Sequence, residues 1–197
     1  MDLTTTARTK AFYALGGESL GEGLDAAIAL LVTKYSIAAA KLMDRHTQAT
    51  ERTEQYDIEA GQRVVSLKGY PVDTTADFEV TSDAQREFTG SAEDSSDYHV
   101  DAASGLLHLD GFVPAEGYGV LEVVYTGGMG TDVDDFIVNY PDIAHAIDEQ
   151  IVHLLQRKDS MGATAVSVAG GSISHAGAVQ WLPHVKTLLL SESRDSF

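Results

Sequence analysis

The feature that most constrains this chain is a change of hydrophobic period, from helical to strand-like and back again. Over residues 22–46, Leu24, Ile28, Leu31, Tyr35, Ala39 and Leu42 recur at steps of three and four and draw one apolar stripe along a helix. Asp25 in its first turn and Lys41 and Arg45 near its end suit the helix dipole. From about residue 55 to 126 the period is two. A second helical stripe, Ile143, Ile147, Ile151, Leu154 and Leu155, then opens behind Pro141 and Asp142 and runs to about Lys158. Strands grouped between helices indicate an α+β fold rather than alternating β/α units. The expected architecture is a helical core of two long helices plus short helices, with a small, mostly antiparallel β-sheet region inserted between the long ones.

Local signals fill in that outline. Thr4-Thr5-Thr6 offers N-cap oxygens to a short helix over 3–14, and Gly16-Gly17 stops it. Residues 55–59 and 63–68 read as strands across a turn at Ala60-Gly61. Pro71 ends that pair because it cannot donate to a ladder. Residues 77–81 are a candidate strand, and 82–97 a polar loop. Residues 97–100 and 106–109 form a hairpin around a turn ending in Gly105. Residues 119–126 make a buried strand, closed by Gly127-Gly128-Met129-Gly130. Residues 162–178 are small and polar with alternating Ala, Val and Ile, and read as a flexible loop or as an edge strand for another chain. Residues 183–190 suggest a final short helix. With 197 residues and no internal repeat, one domain is expected. Its parts are a helical part at 1–50, a β-rich insertion at 51–130, the second long helix at 131–160, and an assembly loop with terminal helix at 161–197.

The chemistry of the chain is more telling for what it excludes. There is no Cys, which removes disulfides, Cys-ligated zinc, iron–sulfur clusters and a thiol nucleophile. Neither a nucleophile elbow nor a phosphate loop occurs. Asp132, Asp134 and Asp135 lack the Gly and distal Glu of a calcium loop. His145, Glu149 and His153 share a helical flank, but eight residues separate the two imidazoles by about 12 Å of helix rise. No catalytic residue, cofactor or metal is therefore expected. The net charge of −17 argues against a nucleic-acid-wrapping or membrane-surface protein. No uncharged apolar run is long enough for a membrane span, and the first ten residues have no apolar signal core. Acids concentrate at 73–101, nine against one base, and at 131–150, six against none. Trp181, the only Trp, reads as a core anchor for the last helix or as an anchor between subunits.

Taken in order, the motifs resemble the head–tail connector (adaptor, or head-completion) proteins of long-tailed bacteriophages. The matching pieces begin with the short first helix and the Ala-rich helix through Leu24, Ile28, Leu31 and Tyr35. Next come the Leu67-Lys-Gly-Tyr-Pro-Val72 turn and the Tyr98-His-Val-Asp101…Gly105-Leu hairpin. The strand and glycine turn from Leu121 to Gly130 follow, then Pro141-Asp-Ile-Ala, the small-residue segment at 170–174, and the Leu-rich end through Leu188-Leu-Leu-Ser191. The likeness covers nearly the whole chain.

The resemblance implies a structural, non-enzymatic protein of the virion neck, present in the host cytoplasm during assembly. Such proteins form a homo-oligomeric ring, commonly a dodecamer, under the portal protein. They extend the DNA channel and dock the next neck or tail protein, while DNA passes without specific binding. Alternatives are a stopper or tail-completion protein, a small metal-dependent enzyme, or a β-rich binding module. Val166, Val168 and Ile173 are candidates to add a strand to a neighbour, and Trp181, Leu182, Leu188, Leu189 and Leu190 to anchor that segment between subunits or on the portal. A terminal helix packed on its own core is the competing arrangement. Asp94, Asp97, Asp132, Asp134 and Asp135 are the channel-lining candidates, with the choice between the two acidic blocks left open.

Overall fold

The computed structural model describes residues 1–16, 24–157, 165–168, 171–174 and 181–193. The chain divides into two compact units. One joins residues 1–44 with 133–197, and the other spans 45–132.

The first unit is helical. Helix α1 (Thr6–Leu15) starts where the Thr5 side chain accepts the Arg8 N–H, satisfying one of the helix's orphan donors. Helix α2 (Asp25–Met43) stops at Asp44, whose left-handed φ of 48° turns the chain out of the helix. Helices α3 (Val133–Asn139) and α4 (Pro141–Gln156) are separated at Tyr140. The residue before a proline avoids helical dihedrals, and Pro141 itself suits a first turn. Helix α5 (Pro183–Ser191) begins in the same way. Helix α4 is the hub: α1, α2, α3 and α5 each pack on it. Its Ile143, Ile147, Ile151 and Leu155 are buried, as are Ile28, Val32, Tyr35 and Met43 of α2, Phe136 of α3, and Val185 and Leu189 of α5.

The expected core of two long helices is corrected by this arrangement. Among the described residues there are five helices, of 10, 19, 7, 16 and 9 residues, mixed with small antiparallel sheets. The two longest helices cover their apolar stripes and end at Asp44 and Arg157, one to three residues short of the ends expected. Short helices supply part of the core. Helix α3 is a separate short helix ahead of the start expected at Pro141, and Phe136 carries it inward.

The second unit is built from two three-stranded antiparallel sheets. Strand β1 (Thr50–Ile58), β3 (Glu79–Ser82) and β6 (Gly117–Gly127) form one, in the order β1-β6-β3. Strand β2 (Val64–Ser66), β4 (Tyr98–Asp101) and β5 (Leu106–Leu109) form the other, in the order β2-β5-β4. The proposed pairing of residues 55–59 with 63–68 does not occur. The turn is present, with the Gln62 N–H on the Glu59 carbonyl, but β1 pairs with β6 (Tyr56 opposite Leu121) and β2 with β5. The physical reason is length: the 11-residue β6 offers β1 a ladder that three-residue β2 does not. Val65, Leu67, Val80, Leu107, Leu109, Leu121, Val123 and Tyr125 form one buried cluster in this unit.

The β4–β5 hairpin follows its sequence signature. Gly105 sits at φ +63°, its N–H donates to the Asp101 carbonyl at 2.7 Å, and a Cβ there would meet that of Tyr70 at 2.7 Å. The Tyr-Pro-Val turn docks on this hairpin: Leu67 donates its N–H to the Gly105 carbonyl and Val72 to that of Ala102. Strands β7 (Ala165–Val168) and β8 (Gly171–Ser174) pair antiparallel with each other, Val166 opposite Ile173.

Candidate functional site

The assembly candidates lie in the helical unit. Val166, Val168 and Ile173 fall on β7 and β8, which already pair with each other; their side chains lie outside the described residues, as do residues 162–164, 169–170 and 175–180 of the proposed assembly loop. Trp181 is half-buried and meets the Tyr35 ring edge-on, with centroids 5.3 Å apart. The Leu182 N–H donates to the side chain of buried Gln150 at 2.8 Å. Leu189 is fully buried, Leu188 is half-buried and Leu190 is exposed. Within the described residues, α5 thus packs on α2 and α4 of its own unit and leaves Leu190 outward.

Of the channel candidates, Asp94 and Asp97 belong to the β unit. Asp132 ends that unit, and Asp134 and Asp135 lie on α3. The acidic block at 73–101 has a local role that the charge count did not reveal. Asp73 accepts the N–H and hydroxyl of Thr75. Asp83 accepts the N–H groups of Gln85, Glu87 and Phe88. Asp94 accepts the N–H and hydroxyl of Ser96, and Asp101 those of Ser104 with the Ala103 N–H. Those hydrogen bonds hold all four carboxyls below the ordinary Asp range. The block is a series of Asx turns on a solvated surface, and its signal was the spacing of Asp two or three residues before Thr, Ser or Gln.

Two buried polar clusters escaped the sequence reading. In the helical unit, Asp148 is 1% exposed. It accepts hydrogen bonds from the hydroxyls of Thr4 and Thr9 and from Arg8 Nε, each at 2.7 Å, and so ties α1 to α4. Its position beside Ile147 in an otherwise apolar face was the available signal. Its neighbours separate: His145 stacks edge-on with Phe12, and Glu149 pairs with His184 at 2.9 Å. Among the described residues no three His, Asp or Glu side chains are grouped to hold a metal ion. Arg8, Phe12, Leu15, His145 and Asp148 border a shallow depression of about 270 Å³.

In the β unit, Glu54 accepts hydrogen bonds from the hydroxyls of Tyr56 and Tyr125 and contacts His46 Nε2 at 2.7 Å. Burial pushes the Glu54 carboxyl up, but these partners outweigh it and hold the group below its ordinary value. Burial and the neighbouring carboxylate raise both tyrosines. The Tyr125 hydroxyl also accepts the Gly69 N–H at 2.8 Å, so the cluster fixes the Tyr-Pro-Val turn to the sheet. Gly127 completes the fit: a Cβ there would lie 2.0 Å from the Gly69 carbonyl oxygen. The cluster braces β1, β6 and the turn against one another.

No family model matches the sequence, and no curated protein matches it. Solved structures do match in fold. A chain in the neck of an empty gene transfer agent (GTA) particle, computed with C6 symmetry, has a TM-score of 0.61 at 16% identity over 99% of this chain and 91% of that one. A chain of the native GTA virion gives 0.59 at 16% identity over the same shares. A chain in the neck of the native GTA particle, computed with C12 symmetry, gives 0.54 at 15% identity over 100% of this chain and 96% of that one. The fold is thus one found, nearly end to end, in chains of GTA particles, two of them from the neck.

Proposed function

We propose that this protein is a structural component of a virion neck: a head–tail connector that forms a ring under the portal, extends the DNA channel and presents a docking surface to the next neck or tail protein. The observation that carries the reading is the fold likeness to neck chains of GTA particles, which spans 99% or more of this chain. The ordered motifs from the first helix to the Leu-rich end point the same way. In this reading the whole chain works as one connector module, its helical unit giving subunit contacts and its β unit a docking face. The role is mechanical, without cofactor or catalysis.

The charge supports the reading in a specific way. A ring whose subunits carry −17 each offers few phosphate ligands, so duplex DNA slides through it without being held. The same charge suits subunits that stay soluble before they meet the portal.

Negative-stain imaging of the purified chain, alone and mixed with portal rings, tests the proposal. Rings of this chain, or portal rings with an added tier, are expected. Bare portals beside unassembled chain, or metal-stimulated turnover of a substrate, would overturn it.

A further inference from the structure

Helix α2 carries apolar residues on its outward face as well as on its inner one. Its mean hydropathy of 1.5 would satisfy a membrane span by length and composition, yet only 33% of it is buried. Its inner face is accounted for by Ile28, Val32, Tyr35, Ala39 and Met43. The opposite face carries Leu30, 73% exposed, and Ile37, 52% exposed, two turns apart on one line, with exposed Ala26 and Thr33 beside them. Lys34 and Lys41 flank that line, and from residue 26 to the helix end there is no acid. In a chain of 30 acids and 13 bases, this is an apolar stripe with two lysines along one edge, while along the other the Thr33 hydroxyl donates to Asp2 at 3.3 Å. An apolar stripe on a helix normally faces a partner.

The same unit carries a surface of complementary character. Val138 on α3 is 77% exposed, and exposed Asp134 and half-buried Asp135, which accepts the Asn139 amide at 2.9 Å, precede it by four and three residues, on either side of its line along the helix. Exposed Asp142 follows at the start of α4. Both α2 and α3 pack on α4, so the two surfaces belong to one compact helical unit.

We infer that the outward face of α2 in one subunit docks on the α3 face of the next copy of this chain: Leu30 and Ile37 against Val138, with Lys34 and Lys41 facing the aspartates. Two unlike, mutually complementary faces on one subunit make a heterologous contact, the kind that propagates head to tail and closes into a ring. The inference rests on the ring reading above and names the surface that builds the ring. A lipid surface is the other environment that α2's apolarity would suit. The fixed inner face, with the Leu3 N–H on buried Ser36 Oγ at 2.8 Å, already commits the helix to a protein core. The lysine edge then matches the acids of a second copy.

The absence of Cys makes a direct test clean. Leu30→Cys, Val138→Cys and the double variant are treated with a short bismaleimide under assembly conditions, beside imaging of the wild type. The inference predicts rings of wild type, a ladder of cross-linked oligomers from the double variant, cross-linked dimers from an equal mixture of the single variants, and no product from either alone. The pair Leu30→Glu with Ile37→Glu abolishes rings while leaving the subunit's melting unchanged, because both positions are exposed. Wild-type rings without a ladder overturn this inference and leave the neck reading standing. Dimers from Leu30→Cys alone also overturn it, since the face would then pair with itself. Absence of both rings and ladder overturns the neck reading with it. Binding to anionic vesicles that is lost in the Leu30→Glu variant assigns the face to a membrane and overturns the docking.

Discussion

The Tyr125 hydroxyl donates to Glu54 Oε2 at 2.7 Å and accepts the Gly69 N–H at 2.8 Å, so one phenol joins β1, β6 and the Tyr-Pro-Val turn. Removing it leaves the buried Gly69 N–H without its acceptor and takes one of three partners from Glu54. Tyr125→Phe is expected to lower unfolding stability by about 1–3 kcal/mol, the cost of leaving buried polar groups unmade. A shift of the urea midpoint at unchanged slope checks this; an unchanged midpoint would show that the brace carries no energy.

The same cluster contributes to the pH dependence of the β unit. The Glu54 pKa is below its ordinary value in the folded protein. Its contribution is therefore fully present above the unfolded value of about 4.3 and is lost as pH falls through the lower folded value. Tyr56 and Tyr125 are raised, first by burial. Their contribution is present below about pH 10 and is lost above it, where the unfolded chain ionises first. Urea midpoints across pH should form a plateau that falls on both sides, and Tyr125→Phe should make the alkaline limb shallower. A midpoint still rising above pH 10 would contradict the assignment.

Asp148 gathers Thr4, Arg8 and Thr9 against α4. Asp148→Ala leaves two hydroxyls and a partly buried guanidinium without their acceptor. The expected loss is about 2–3 kcal/mol, kept moderate because Arg8 reaches solvent. Faster hydrogen exchange over 6–15 in the variant would identify the released helix as α1.

Ile147 is fully buried on α4, whereas Leu31, on the flank of α2, is half-buried. Ile147→Ala should cost about 2–5 kcal/mol and Leu31→Ala clearly less. Equal losses would place α2 deeper in the core than its exposed face allows.

What the sequence made legible follows from how local each signal was. The β4–β5 hairpin was readable because alternation and Gly105 fix it within a dozen residues. Helix α4 was readable because Pro141 and the isoleucine stripe are its own. Helix α3 was not, because seven residues with two aspartates carry too short a period, and Phe136 alone turns inward. The partner of β1 was misread because pairing depends on β6, some sixty residues away, while the nearby turn at Gly61 mimicked a hairpin. The hubs at Asp148 and Glu54 were hard to read because key donors, Thr4 and Thr9 for the one and Tyr125 for the other, come from distant elements, and each acid alone looks like surface charge. The acids of 73–101 were counted as a charged face when many of them shape turns.

Cryo-imaging of the neck of a particle that carries this protein measures the central claim most directly. The account predicts a closed ring of this chain in the tier directly below the portal, coaxial with it and open to a duplex. Density for the chain in another part of the particle, or a neck whose tier below the portal lacks it, would contradict the account.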